Sequence, residues 1–168
     1  MPIQKLPRPH VFTPPDLTLR LNDGFEPRII SLVGRYEINL VGRTPLNIDY
    51  HFEELSRVPR DIRGYTSVDY VRIECYESEL LSVVRGLGFS FLHTPDVFSE
   101  PFGVALATVR AVTDLIERHQ PLNSVDLGIR IGRYLDDVDA AHTFTVSEGV
   151  ILDRAVVKLQ EAIFKCPK

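Results

Sequence analysis

Apolar residues alternate with polar ones along much of the first ninety positions, and this period of two constrains the fold more than any other feature of the chain. A strand points successive side chains to opposite faces, so alternation defines one buried face and one wet face. Leu17, Leu19 and Leu21 alternate with Thr18 and Arg20, and Asn22-Asp23-Gly24 follows as turn chemistry. Ile29 to Val33 is a short apolar run, and Tyr36, Ile38 and Leu40 alternate with Glu37 and Asn39. The cleanest alternation sets Leu46, Ile48, Tyr50 and Phe52 against Asn47, Asp49, His51 and Glu53. Residues 53–67 read as a connection, because Pro59 stops a helix and Gly64 permits a turn. A strand is expected from Val68 to Tyr76, with Val71, Ile73 and Cys75 on one face and Cys75 in the core. Glu79 to Arg85 suits a helical turn or an edge strand. Gly86 and Gly88 then break the pattern, and Phe89 and Phe91 suggest another short strand.

The period changes in the second half. Phe102, Leu106, Val109, Val112 and Ile116 follow the three-and-four spacing of an amphipathic helix, expected over Pro101 to His119. Ser99 is its cap, Pro101 sits just inside and Pro121 marks its stop. Val125, Leu127, Ile129 and Ile131 alternate again and predict a long strand. An acidic loop at Asp136–Ala141 and a short strand at Thr143–Val146 follow. The last helix is expected from Gly149 to Lys165, capped by Ser147, with Leu152, Ala155, Val156, Leu159 and Ile163 on its apolar face. The sum is an α+β fold: five to eight mostly antiparallel strands packed on two late amphipathic helices, in a single domain over residues 17–168.

Residues 1–16 stand apart, holding five of the twelve prolines: Pro2, Pro7, Pro9, Pro14 and Pro15. Proline fixes φ and removes a hydrogen-bond donor, so an extended arm is expected there: a disordered tail or a strap over the surface on one reading, and on the other a partner-binding arm in which Pro7, Pro9, Phe12, Pro14 and Pro15 dock onto a neighbouring copy.

Composition excludes several classes. With 44% apolar residues in 168, the chain can bury a sizeable core and is not disordered throughout. The formal net charge of −4 argues against general or sequence-specific nucleic-acid binding. Two cysteines, Cys75 and Cys166, cannot form a disulfide framework, so a reducing, cytoplasmic compartment is the expectation. Met1 to Lys5 leads into prolines and not into an apolar run, so no signal peptide is expected. No window reaches the roughly 18 apolar residues of a membrane span.

Three clusters could carry chemistry. Asp49, His51 and Glu53 share one face of a strand, where they could do acid–base work or bind a metal in a sheet–helix pocket, with Tyr50 or Tyr70 nearby. The wet face of a strand has the same spacing. Asp136, Asp137, Asp139 and His142 offer hard ligands, but the spacing and terminal glutamate of a calcium loop are missing, so a solvated loop is expected. Arg57, Arg60 and Arg63 recur every third residue and, on an extended chain, could clamp an anion or an acidic partner. Gly86-Leu87-Gly88 lacks the rest of a dinucleotide fingerprint, and no nucleophile elbow, Walker motif or HExxH is present. No catalytic residue, metal or cofactor is therefore expected.

The order of elements resembles the matrix proteins of negative-strand RNA viruses, rhabdoviruses in particular. The resemblance rests on the proline-bearing arm from Pro7 to Pro15 and on Arg43-Thr44-Pro45-Leu46 followed by the paired segment Val68 to Arg85. It also rests on a late strand, Asp126 to Tyr134, that ends in the acidic turn Asp136-Asp137-Val138-Asp139 before the closing helix. The arm lacks the usual run of lysines and a PPxY motif. The resemblance implies a non-enzymatic, self-associating structural protein of the virion. Its partners would be further copies of itself and a nucleoprotein or membrane-associated protein. Two other readings compete: a small enzyme or ligand-binding domain built on Asp49, His51 and Glu53, and an acidic adaptor for a basic protein partner.

Overall fold

The three leucines of Leu17–Leu21 form β1, and all three are buried while Thr18 and Arg20 face out. Arg28–Leu32 forms β2 and pairs antiparallel with it, setting Leu17 opposite Leu32 and Leu21 opposite Arg28. The computed structural model describes residues 12–22, 24–40, 62–93 and 98–166. Within them a second sheet has the order β3-β4-β5, with β3 at Gly34–Leu40, β4 at Ile62–Tyr76 and β5 at Glu79–His93. Both pairings in that sheet are antiparallel. Three helices complete the fold: α1 at Glu100–His119, α2 at Ser124–Ala141 and α3 at Val146–Phe164. The α+β class with antiparallel sheets is as the alternation predicts. The alternating stretch from Leu46 to Phe52 lies outside the described residues.

The β4–β5 hairpin is the longest element, two strands of 15 residues that reach roughly 50 Å at about 3.4 Å per residue. Glu77 and Ser78 turn it, both at positive φ (48° and 68°), which is how a two-residue turn follows the right-handed twist of its strands. The expected breaks at Gly86 and Gly88 do not occur; both lie inside β5. A Cβ on Gly86 would lie 2.5 Å from the Ala111 carbonyl, and one on Gly88 would lie 2.2 Å from the Ala107 carbonyl. These glycines let α1 rest its backbone directly on the strand. The helix-facing side of the hairpin is Thr66, Val68 and Tyr70 with Val84 and Ser90, all buried. Cys75, expected in the core, is exposed, and so is Ile73 on the same face. They lie on the opposite parity of β4 from Val68 and Tyr70, toward the outer end of the hairpin.

Helix α1 begins at the Ser99 cap, whose side chain accepts from the Phe102 N–H, and Val104 to Val109 are buried without interruption. Such all-round burial marks a central helix. Where a strand was expected from Val125 to Ile131, the chain forms α2. Leu127, Ile131, Tyr134 and Val138 are buried at helical spacing, whereas Val125 and Ile129 are exposed. The residues expected as an acidic loop, Asp136–Ala141, are its last turns. The short strand expected at Thr143–Val146 is also absent. Thr145, and not Ser147, caps α3 through a reciprocal capping box with Glu148.

One edge of each sheet, β5 and β1, is met by groups from the helical layer and its connection. On β5, the Arg85 N–H donates to His119 Nε2 (3.1 Å), the Leu87 N–H donates to Asp114 Oδ2 (2.9 Å), and Arg110 Nη1 donates to the Phe89 carbonyl (2.7 Å). Steps of two along a strand and of four along a helix advance by similar distances, so α1 meets alternate backbone groups of β5 in turn. On β1, Asn123 accepts from the Arg20 N–H and donates to the Thr18 carbonyl, while the Leu122 N–H donates to the Arg20 carbonyl. Unpaired edges invite strand addition, and these two are occupied.

Candidate functional site

The part of the proline arm that is described, residues 12–16, lies against the chain's own body. Pro14 is buried beside Gly34, where a Cβ on the glycine would come 2.6 Å from the Pro14 ring. Tyr70 donates its hydroxyl proton to the Pro15 carbonyl (2.7 Å), and Arg130 donates to the Asp16 carbonyl (2.8 Å). Phe12 packs against the core cluster. Of the candidate docking residues, Pro14 is buried against its own chain, while Phe12 and Pro15 keep part of their surface accessible. Pro7 and Pro9 lie outside the described residues, as do Asp49, His51, Glu53, Arg57, Arg60 and Tyr50. Arg63 is exposed near the start of β4.

Asp136, Asp137 and Asp139 project from α2 into solvent. Asp139 accepts from the Phe144 N–H at 3.2 Å, and His142 ends the helix 3.4 Å from the Ser99 hydroxyl. No group of three or more metal-ligating side chains forms among the described residues. No described helix is long and apolar enough to cross a membrane. The Cys75 and Cys166 thiols are both free.

Among the described residues, the helices present an unpartnered apolar face outward. On α3, Leu152, Ala155, Leu159 and Ala162 are buried, yet a second stripe of Val146, Val150, Val157 and Phe164 is exposed, with Val146 87% and Phe164 89% accessible. With Asp153 and Gln160 in the intervening positions, these residues fall at spacings of four, three, four, three and four, the seam of a heptad. On its inner flank the seam meets Val156 and Ile163, which line an apolar groove with Val125, Ile129 and Leu135 of α2. The outer flank carries Arg154 and Glu161, one heptad apart and of opposite charge. The sequence reading found the buried face of α3 and missed this seam, although the heptad spacing was its visible signal.

A cavity of about 250 Å³ lies at the other end of the helical layer, where β4, β5 and the first turns of α1 and α3 meet. Tyr65, Thr66, Ser90 and Phe102 are among the residues lining it. Burial pushes the Tyr65 phenol above its ordinary pKa, with Glu37 adding to the effect, so this wall stays uncharged.

No protein-family model, curated protein or solved structure matches this chain.

Proposed function

We propose that the chain is a non-enzymatic, self-associating assembly protein, a role of the kind filled by matrix proteins of negative-strand RNA viruses. The observation that carries this reading is the exposed heptad seam of α3. A soluble helix normally turns one apolar stripe inward; this one keeps a second stripe facing water.

The occupant that suits the seam is α3 of a second copy, running antiparallel. In that arrangement residues on the same flank face one another across a two-fold axis. Arg154 of each copy then meets Glu161 of the other, and Asp153 comes within reach of the opposite Lys165, each contact occurring twice. A parallel pairing would set Arg154 against Gly149 and Glu161 against Val156, leaving both charges without a partner. Charge therefore selects the antiparallel register, and Val157 and Gln160 fall at its centre. Asp153 and Gln160, polar in an otherwise apolar seam, weaken the pairing while fixing its orientation.

One segment behind the matrix resemblance, Asp126–Tyr134, is helical, so that resemblance contributes the role and not the fold. By the same resemblance, further partners are a nucleoprotein or a membrane-associated protein, met in the cytoplasm or the virion.

Sedimentation velocity on three proteins tests the reading. The natural chain sediments as a dimer or larger, Arg154→Glu shifts it toward monomer at least tenfold in dissociation constant, and Arg154→Glu with Glu161→Arg restores the association. A monomeric natural chain, or a double reversal that fails to restore what the single one removed, overturns it.

A further inference from the structure

We infer that the cavity between the sheet and the first turns of α1 and α3 binds a small uncharged amphiphile, a molecule of the size and chemistry of a medium-chain alcohol. This goes beyond self-association and does not depend on it.

Size sets the first limit. Cavities of about 150 Å³ accommodate benzene, so about 250 Å³ admits a short alkyl chain or a single ring with a head group. The walls set the second. Leu40, Phe91, Phe98, Phe102 and Ile151 make the lining mostly apolar, as small-molecule pockets are.

The polar groups are few and converge. Thr66 on β4 and Ser90 on β5 face each other directly across the ladder, 2% and 6% exposed, and both line the cavity. No hydrogen bond joins either hydroxyl to another described residue. Buried hydroxyls normally find partners, and two unpartnered ones side by side in a cavity wall suit a ligand oxygen that both donates and accepts. Gly103 of α1 sits directly over Thr66, where a Cβ would lie 2.9 Å from the hydroxyl oxygen, so this site has no room for a larger residue.

Charge narrows the class. The N-termini of α1 and α3 both border the cavity, through Ser99 and through Thr145 and Ser147, and their positive ends favour an oxygen. Glu148 is the one carboxylate among the described residues of the lining, and its oxygen already accepts from the Thr145 N–H. Among the described residues, no cation lines the cavity to balance an anionic head. A hydroxyl is satisfied there, and a carboxylate is not.

The test is a titration of the full chain, labelled with nitrogen-15, with 1-octanol and in parallel with octanoate. Octanol should give saturable shifts confined to Ser99–Gly103, Thr145–Ile151 and the Thr66 and Ser90 amides, at an affinity at least tenfold above that of octanoate. Thr66→Val keeps the shape of the wall and should weaken octanol about fivefold to tenfold. Ile151→Trp, made at a partly exposed position on the rim, should abolish binding while leaving the remaining spectrum in place. Absence of saturable shifts overturns the inference. Equal affinity for octanoate, or a Thr66→Val chain that binds octanol as the natural one does, contradicts the uncharged head group and its seat.

Discussion

At the scale of single residues, glycines and buried tyrosines make the sharpest tests of the packing. Gly88 and Gly132 are both glycines inside regular elements, yet they should respond oppositely to alanine. At Gly88 the added methyl meets the Ala107 carbonyl and the Ala111 nitrogen at 2.2 and 2.3 Å, so α1 must lift off β5. Gly88→Ala should lower the unfolding free energy by about 2–3 kcal/mol. At Gly132 nothing lies within 4 Å, and Gly132→Ala should raise stability by roughly 1 kcal/mol through helix propensity alone. Urea unfolding of the two variants checks both signs. Tyr134 gives a prediction in pH. Burial pushes its phenol up to about 12, and burial raises Tyr70 as well. A raised folded-state value means that the fold holds protons the unfolded chain releases. Stability is then intact below about pH 10 and falls as pH rises from there toward 12, by roughly 1.4 kcal/mol per pH unit for each tyrosine. Tyr134→Phe removes this buried phenol, so it should reduce the alkaline loss while changing stability little at neutral pH, where the phenol beside Thr108 is uncharged in both states. Chemical unfolding between pH 8 and 11 reads both effects.

At the scale of elements, the structure explains which segments could be read from sequence and which could not. Alternation identified β1 because one face of that strand is wet and the other is covered by the core. The first turn of α1 was legible because Ser99 and Pro101 stand where a cap and a first-turn proline belong. Helix α2 was not, for a reason particular to its sequence. Leu127 and Ile131 are a buried pair four apart, Val125 and Ile129 are an exposed pair four apart, and the two pairs are offset by two positions. Interleaved, they imitate a strand. The continuation through Tyr134 and Val138 favours a helix, but it requires the apolar character of Val125 and Ile129 to be attributed to another contact. Gly86 and Gly88 misled in a similar way: their role is close approach of a helix, which leaves no mark in the local pattern. Of the candidate site, the buried face of α3 was plain, while its outward seam was overlooked once the buried stripe had accounted for the helix. The sealed β5 edge makes a further prediction. Asp114→Ala leaves the Leu87 N–H without its partner and frees Arg118 from its ion pair. It should cost about 1–2 kcal/mol and increase concentration-dependent aggregation, measurable by light scattering beside the natural chain.

At the scale of the whole molecule, the surfaces divide by use. The described arm residues and the α1–α2 connection are occupied in covering β1 and the core. The β5 edge is closed by α1. Among the described residues, Phe25, Ile29, Ile73 and Leu80 are exposed on the sheets, and the helices expose the α2–α3 face, continuous from Val125 and Ile129 through the groove to the α3 seam. Two copies joined through that face would make a layer of helices, with the β4–β5 hairpins left free to meet other molecules. Pulsed electron paramagnetic resonance tests the arrangement most directly, with spin labels at Lys158→Cys or at Ser147→Cys in a Cys75→Ser background. Antiparallel α3 helices centred between Val157 and Gln160 place the two Lys158 positions side by side. The same arrangement separates the two Ser147 positions by roughly 35 Å along the axis at about 1.5 Å per residue. A short distance at Lys158 with a long one at Ser147 is the expected result. Equal distances at both positions, or no dipolar coupling between copies at either, would contradict the account.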